Sequence, residues 1–275
     1  MRGHQETRRP HRQIYARTPQ GAVQLAASAD RWHLHDDFVH LCPHHTQGRL
    51  VRFDAELLPF VDNLERGALA VVDMQNDFCS PGGWTDRSGL DYRACRSAVA
   101  GVRRAVEAAR RHGMWIIWIY WYNRPDLRNL GAPTLYSFKH RPQQQGIGED
   151  LEHGPVLTQG SWGAEMVEEL AVLVEEDDIH VEKVRMSGFY GTHLDQVLRT
   201  QGIQTLFVCG VNTDQCVSTT IEDAYFRDYN AVLLSDATAT SSPDYCKDAT
   251  VFNTKHCWGF VTTTDKFAAP QPYRD

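Results

Sequence analysis

No apolar run in the 275-residue chain is long enough to cross a bilayer, and the arginine-bearing N-terminus lacks the apolar segment and cleavage site of an export signal. Those absences point to a soluble, cytoplasmic protein. Cysteine occurs in an odd number, seven, with no Cys-x-x-Cys spacing. A disulfide framework and a zinc ribbon are thereby disfavoured; reduced thiols are expected, any of which is free to be reactive. Positive charge is also in short supply, 28 lysines and arginines against 35 aspartates and glutamates, for a net charge of -7. Such a balance argues against a nucleic-acid or membrane-surface partner. There is no internal repeat and no linker that would divide the chain after residue 67.

What is present is a 42% hydrophobic composition, enough for a substantial core. Residues 1–66 differ from the rest. They carry RRPHR, WHLHDDF and CPHHTQG with little sustained periodicity, and are expected to form an N-terminal extension or arm. Neither His pair comes with a carboxylate or third His at a defined spacing, so no metal is assigned. Arg8, Arg9 and Arg12 fit a solvated tail better than a nucleic-acid contact.

From residue 67 strands alternate with helices. The apolar runs at 68–74, 114–122, 178–184, 205–211, 231–239 and 259–267 are expected strands. Residues 91–113 form an amphipathic helical pattern stopped by glycine, and 161–173, 191–202, 213–229 and 243–257 are further helical stretches. The long segment between 123 and 155 suggests a functional wall or lid. Alternation of this kind predicts right-handed βαβ units, an α/β fold in three layers with a doubly wound parallel sheet, over residues 67–275.

Sites in such sheets lie outside the carboxyl ends of the strands. Three chemically active residues fall there, Asp73, Lys183 and Cys216. Thr213 and Asp214 are good N-cap types, and Val217, Ile221, Ala224 and Tyr225 recur at helical spacing, so Cys216 is expected in a helix's first turn. There the helix dipole favours a thiolate, and unpaired N–H groups can hold an oxyanion. A thiol beside a carboxylate and an ammonium can pass its proton to the carboxylate, which then protonates a leaving nitrogen. That proton traffic breaks an amide C–N bond through a thioester.

VVDMQNDFCSPGG, EKVRMSGFYGTHLDQVLRTQG and CGVNTDQCV together resemble the isochorismatase-like cysteine hydrolases, a likeness covering about residues 67–267. The resemblance implies a six-stranded parallel sheet between helices, an Asp-Lys-Cys triad at Asp73, Lys183 and Cys216, and no cofactor. It also implies a cis peptide between Val211 and Asn212 that shapes an oxyanion hole with the Cys216 N–H, and assembly as a homodimer or homotetramer.

Family members differ in substrate. The metal-binding Asp-x-His of nicotinamidases is missing from WYNRPD, and Cys216 argues against vinyl ether hydrolysis. QGSWGAEMVEEL with RMSGFYGTHLDQVLRTQG looks most like the ureidoacrylate amidohydrolase and biuret or triuret hydrolase branch, which implies a small ureido or N-carbamoyl substrate. Tyr120 and Trp121 stand where ureidoacrylate enzymes tend to have an asparagine, a departure that speaks against ureidoacrylate itself. Gln75, Asn76, Tyr122, Asn123, Trp162, Arg185, Tyr190 and Gln215 are candidate pocket residues, each equally readable as packing. Arg185 or Arg124 could hold a substrate carboxylate. Hydrolysis of another amide, a lactam or an ester on the same triad stays open, as does a non-catalytic binding or assembly subunit.

Overall fold

The computed structural model describes residues 15–26, 31–45 and 47–274. Arg8, Arg9 and Arg12 lie outside them. The centre is a six-stranded sheet formed by β1 (Gly67–Val72), β2 (Trp115–Trp121), β3 (Ile179–Lys183), β4 (Thr205–Val211), β5 (Asn230–Ala239) and β6 (Gly259–Thr262). Its order is β3-β2-β1-β4-β5-β6 and every pairing is parallel. The sheet is flanked by helices, as the alternation predicts. Every residue of β1 and β4 is buried, which is why both read as unbroken apolar runs.

Chain order reverses between β1 and β4, leaving a crevice at their carboxyl ends. Asp73 follows β1 and the Cys216 turn follows β4, so both edges of the crevice carry chemistry.

Several elements differ from expectation. Residues 91–113 form two helices, Tyr92–Arg96 and Val99–His112, with Ser97 capping the first; Gly113, at φ 64°, ends the second. The stretch 161–173 is no continuous helix. A 3-10 turn at Trp162–Ala164 and a short helix at Glu168–Ala171 flank Met166, which forms a bridge with Gln75. Backbone pairing to the end of β1 takes up the amides that a helix would need. The last apolar run stops as a strand at Thr262 and continues as the helix Thr264–Ala268, where Asp236 accepts from the Thr264 N–H.

Residues before 67 contain more regular structure than their pattern suggests. Short strands between Tyr15 and Asn63 build a second sheet, to which Gln271–Pro272 from the C-terminus adds an edge. These strands have only two to four residues each, too few for an alternation to show. Phe53 and Phe60 fasten this sheet to the central one by ring contacts with Phe207 and Phe260 at 5.2 and 4.6 Å. Among the described residues no His, Cys, Asp or Glu cluster could hold a metal, and no helix is long and apolar enough to cross a membrane.

Candidate active site

The strand ends are set by close backbone approaches. Gly210 in β4 has φ 113°, and a Cβ there would lie 2.1 Å from the Val72 carbonyl oxygen. Only glycine lets β4 run flush against β1 at this level. Directly beyond, Asp73 adopts φ 51°, a left-handed conformation uncommon outside glycine, and its N–H donates to the Ile119 carbonyl at 2.9 Å. This kink turns the carboxylate into the crevice instead of into a sheet face.

Lys183 ends β3, two strands from β1, a separation of roughly 10 Å at ordinary strand spacing. Its four-carbon stem crosses β2 by running over Trp121, with Nζ 4.3 Å from the ring centroid. Nζ then lies 2.7 Å from Asp73 Oδ2 and donates to Cys216 Sγ at 3.4 Å. The same carboxylate also faces the Cys216 thiol and the Trp121 backbone N–H.

The peptide between Val211 and Asn212 is cis. Residues Thr213–Val217 then form a π-type turn that leads into the helix Ser218–Tyr225. Cys216 thus enters one turn ahead of the regular helix, close to the expected placement. The capping differs: Asn212 occupies the N-cap position without a side-chain cap, while Asp214 accepts from Thr240 Oγ1 at 2.5 Å. The Asn212 carbonyl takes the N–H groups of Gln215 and Val217, which flank Cys216. Its side-chain oxygen accepts from Cys95 Sγ at 3.2 Å and from the Ser241 N–H at 3.0 Å, so the turn is tied down on both sides.

Burial decides the electrostatics. It pushes the Cys216 thiol well up, and the adjacent Asp73 charge adds to this, with Lys183 opposing both. Burial likewise raises the Asp73 carboxyl, offset in part by Lys183. This corrects the expectation of a resting thiolate. The helix dipole is outweighed by desolvation of a sulfur that is only 3% exposed and faces a carboxylate. Burial and the Asp73 charge together disfavour the thiolate, with Lys183 working the other way.

A cavity of about 310 Å³ lies beside the Cys216 turn, with Asn212 and Gln215 in its lining. Met186 lines it, with its Sδ 3.6 Å from Cys216 Sγ. Phe78, Trp84, Leu90 and Phe138 form the apolar wall. Phe138 belongs to the long segment after β2 and packs on both Trp84 and Trp121, at 4.9 and 5.0 Å, joining the wall to the ring beneath Lys183.

Of the eight candidate pocket residues, Gln215 alone lines this cavity. Gln75 is fully buried and gives both amide donors to the carbonyls of Trp121 and Ala164 while accepting from the Trp121 N–H; it ties the end of β2 to the Trp162–Ala164 turn. Asn76 donates to the Trp162 carbonyl and accepts from Ser80 Oγ. Trp162 packs edge-on against His153. Asn123 is buried and accepts from Trp121 Nε1. Tyr122, Arg185 and Tyr190 line, together with Lys183 and Arg124, a second cavity of about 260 Å³ at the end of β3. The Arg185 guanidinium donates to the carbonyls of Val184 and Asn129, and Arg124 is paired bidentately with Asp126. Neither arginine reaches the cavity beside the thiol.

Sequence reasoning missed Phe78, Trp84, Phe138 and Met186, and also Asp77. The buried Asp77 carboxylate accepts from the backbone N–H groups of Trp84 and Leu157 at 3.0 and 2.7 Å, anchoring both the wall and the long segment. Burial raises its pKa. Phe78 and Met186 were available as neighbours of Asp73 and Lys183 in their motifs, whereas Trp84 and Phe138 meet only in space.

Comparison with known proteins agrees with this geometry. The model of the isochorismatase domain matches residues 67–266. A cysteine hydrolase from Pseudomonas syringae pv. phaseolicola shares 28% identity over 81% of this chain and 97% of its own, with a TM-score of 0.63. N-carbamoylsarcosine amidase from Thermoplasma acidophilum also shares 28% identity, over 73% of this chain and 97% of its own, with a TM-score of 0.55. A pyrazinamidase/nicotinamidase from Streptococcus mutans, at 20% identity over 71% of this chain and 99% of its own and a TM-score of 0.58, shares the fold. With a six-stranded parallel sheet, a thiol at its switch point and a family match over most of its length, this chain belongs to the isochorismatase-like cysteine hydrolases.

Proposed function

We propose that this protein is a cysteine-dependent amidohydrolase that cleaves a C–N bond of a small ureido or N-carbamoyl compound, with Cys216 as nucleophile, Asp73 as proton carrier and Lys183 as electrostatic partner. The observation that carries the reading is the meeting of Lys183 Nζ with Asp73 Oδ2 at 2.7 Å and with Cys216 Sγ at 3.4 Å, at the sheet's switch point. Similarity to an N-carbamoylsarcosine amidase supports the choice of bond.

The raised thiol means that deprotonation accompanies attack instead of preceding it. As the sulfur adds to the substrate carbonyl, its proton passes to Asp73, and Lys183 compensates the charge on sulfur and carboxylate in turn. The carbonyl oxygen becomes an oxyanion, for which the Cys216 N–H at the cis-peptide turn is the proposed donor. The intermediate collapses with its C–N bond breaking, and Asp73 returns the proton to the departing nitrogen. A thioester, or a thiocarbamate from a urea, remains on Cys216. Water then adds to that carbonyl, giving one proton to Asp73; expulsion of sulfur takes the proton back and restores thiol and carboxylate.

Ammonia release from a panel of biuret, triuret, ureidoacrylate, N-carbamoyl amino acids, nicotinamide and simple amides tests the reading, with wild type and Cys216→Ala side by side. Release that depends on Cys216 from a ureido compound is the expected result. Turnover that survives Cys216→Ala would remove the nucleophile assignment.

A further inference from the structure

We infer that the cavity beside Cys216 selects an uncharged urea or amide whose substituent is aromatic or bulky aliphatic, and rejects one whose substituent carries a carboxylate. The inference rests on the amidohydrolase reading for its reacting group, but its argument concerns the wall that faces the rest of the substrate.

That wall is apolar, with Phe78, Trp84, Leu90, Phe138 and Met186 on it. Trp84 and Phe138 meet at 4.9 Å with a 55° tilt. The indole Nε1 is already given to the Gln145 carbonyl at 2.9 Å, so Trp84 offers its ring and not its donor. Uncharged polar groups interrupt the rings on one side, at Ser88, Ser137 and Gln144, and on the side of the Cys216 turn Gln215 donates to Ser242 Oγ beside Asn212 and Ser241. A ligand that places its ureido group at that turn must lay its substituent on the rings.

Charge gives the selectivity its sign. No lysine, arginine, aspartate or glutamate lines the cavity, and its only titratable side chain among the described residues is His140, exposed at the rim. A carboxylate carried onto the rings would lose its water without gaining a cation. Of the arginines next to lining residues in sequence, Arg185 donates to backbone carbonyls and Arg87 pairs with Glu152, while the exposed Arg141 is not part of the lining. Size permits a ring, since an apolar cavity of roughly 150 Å³ holds a benzene and this one measures about 310 Å³.

The test uses a matched pair, benzylurea and 4-carboxybenzylurea, which differ only in the charged group. Calorimetry with the full-length Cys216→Ala protein reads binding without turnover, and wild-type kcat/KM reads catalysis. Benzylurea is expected to bind Cys216→Ala and to exceed its carboxylated twin in kcat/KM by roughly 100-fold. Trp84→Arg, which offers the carboxylate a partner, should narrow that gap at least about tenfold. Should that variant misfold by circular dichroism, the wild-type comparison still decides. Equal or better binding of the carboxylated compound overturns the inference, as does failure of both compounds to bind at millimolar concentration. Benzylurea that binds Cys216→Ala yet is not hydrolysed by wild type would support the pocket and remove the amidohydrolase reading instead.

Discussion

The Lys183 ammonium meets the Asp73 carboxylate at 2.7 Å across the width of an intervening strand, with both side chains closed to solvent. Trp121 beneath the lysine stem and Gln75 beneath Trp121 hold that crossing in place. Charge and counter-charge are thus built into the core of the sheet, and the thiol is the third member of a closed set.

Removing one partner should therefore damage stability and chemistry together. Lys183→Met leaves a buried carboxylate without its cation, at a cost of about 3–5 kcal/mol, and should abolish turnover. The double variant Asp73→Asn, Lys183→Met should regain much of the stability and none of the activity. Urea unfolding of the three proteins checks this, and a fully active Lys183→Met would reject the assigned role.

The pH dependence has a definite sign. Asp73 must be ionised to take the thiol proton, and burial raises its pKa above the ordinary 3.8. Activity should fall as pH drops through that raised value, so the acid limb of kcat/KM lies above the ordinary carboxylate range. Burial and Asp73 raise Cys216 as well, so alkylation of this thiol should remain slow through pH 9, where an ordinary cysteine is half ionised. An acid limb below 3.8 or rapid alkylation of Cys216 at neutral pH would contradict the arrangement.

Much of this was legible in the chain. Strands buried on both faces left unbroken apolar runs, and the strand-end positions of Asp73, Lys183 and Cys216 followed from them. The thiol's protonation was not legible, because local position suggests a dipole while burial is a property of the whole fold. Gln75 and Asn76 misled for a related reason. Polar side chains beside Asp73 look like substrate readers, yet here they donate to backbone carbonyls of Trp121 at the end of β2 and of the Trp162–Ala164 turn. The cavity wall stayed hidden because Trp84 and Phe138 are far apart in sequence and carry no local signature.

Met186 should act as a cover on the Cys216 thiol. Its Sδ touches Cys216 Sγ at 3.6 Å, and the cysteine is 3% exposed. Met186→Ala is expected to speed alkylation of Cys216 roughly tenfold, Met186→Leu hardly at all. The exposed Cys257 provides an internal reference within the same sample. Peptide mass spectrometry resolves the two sites, and equal rates in wild type and Met186→Ala would show that the thioether does not shield the thiol.

Another buried carboxylate lies at the opposite end of the sheet. Asp62, in the strand Phe60–Asn63, is pushed up to about 6 by burial, with the Thr205 hydroxyl, the Asn63 backbone and Arg66 offsetting part of the effect. Thr205 begins β4 and accepts from Asn230 Nδ2 at the start of β5, so this carboxylate sits where the N-terminal sheet joins the strands that carry the site. Because its folded pKa is raised, the native state keeps a proton between 3.8 and about 6 that the unfolded chain has already lost. Stability is then greatest below that window and declines as pH rises through it, by roughly 3 kcal/mol for a shift of this size. Asp62→Asn holds the shape without the charge. It should match wild type in urea midpoint near pH 4, exceed it at pH 7, and leave kcat unchanged at both. Coincident midpoints at pH 4 and pH 7 would mean that Asp62 is ionised at no cost in the folded protein.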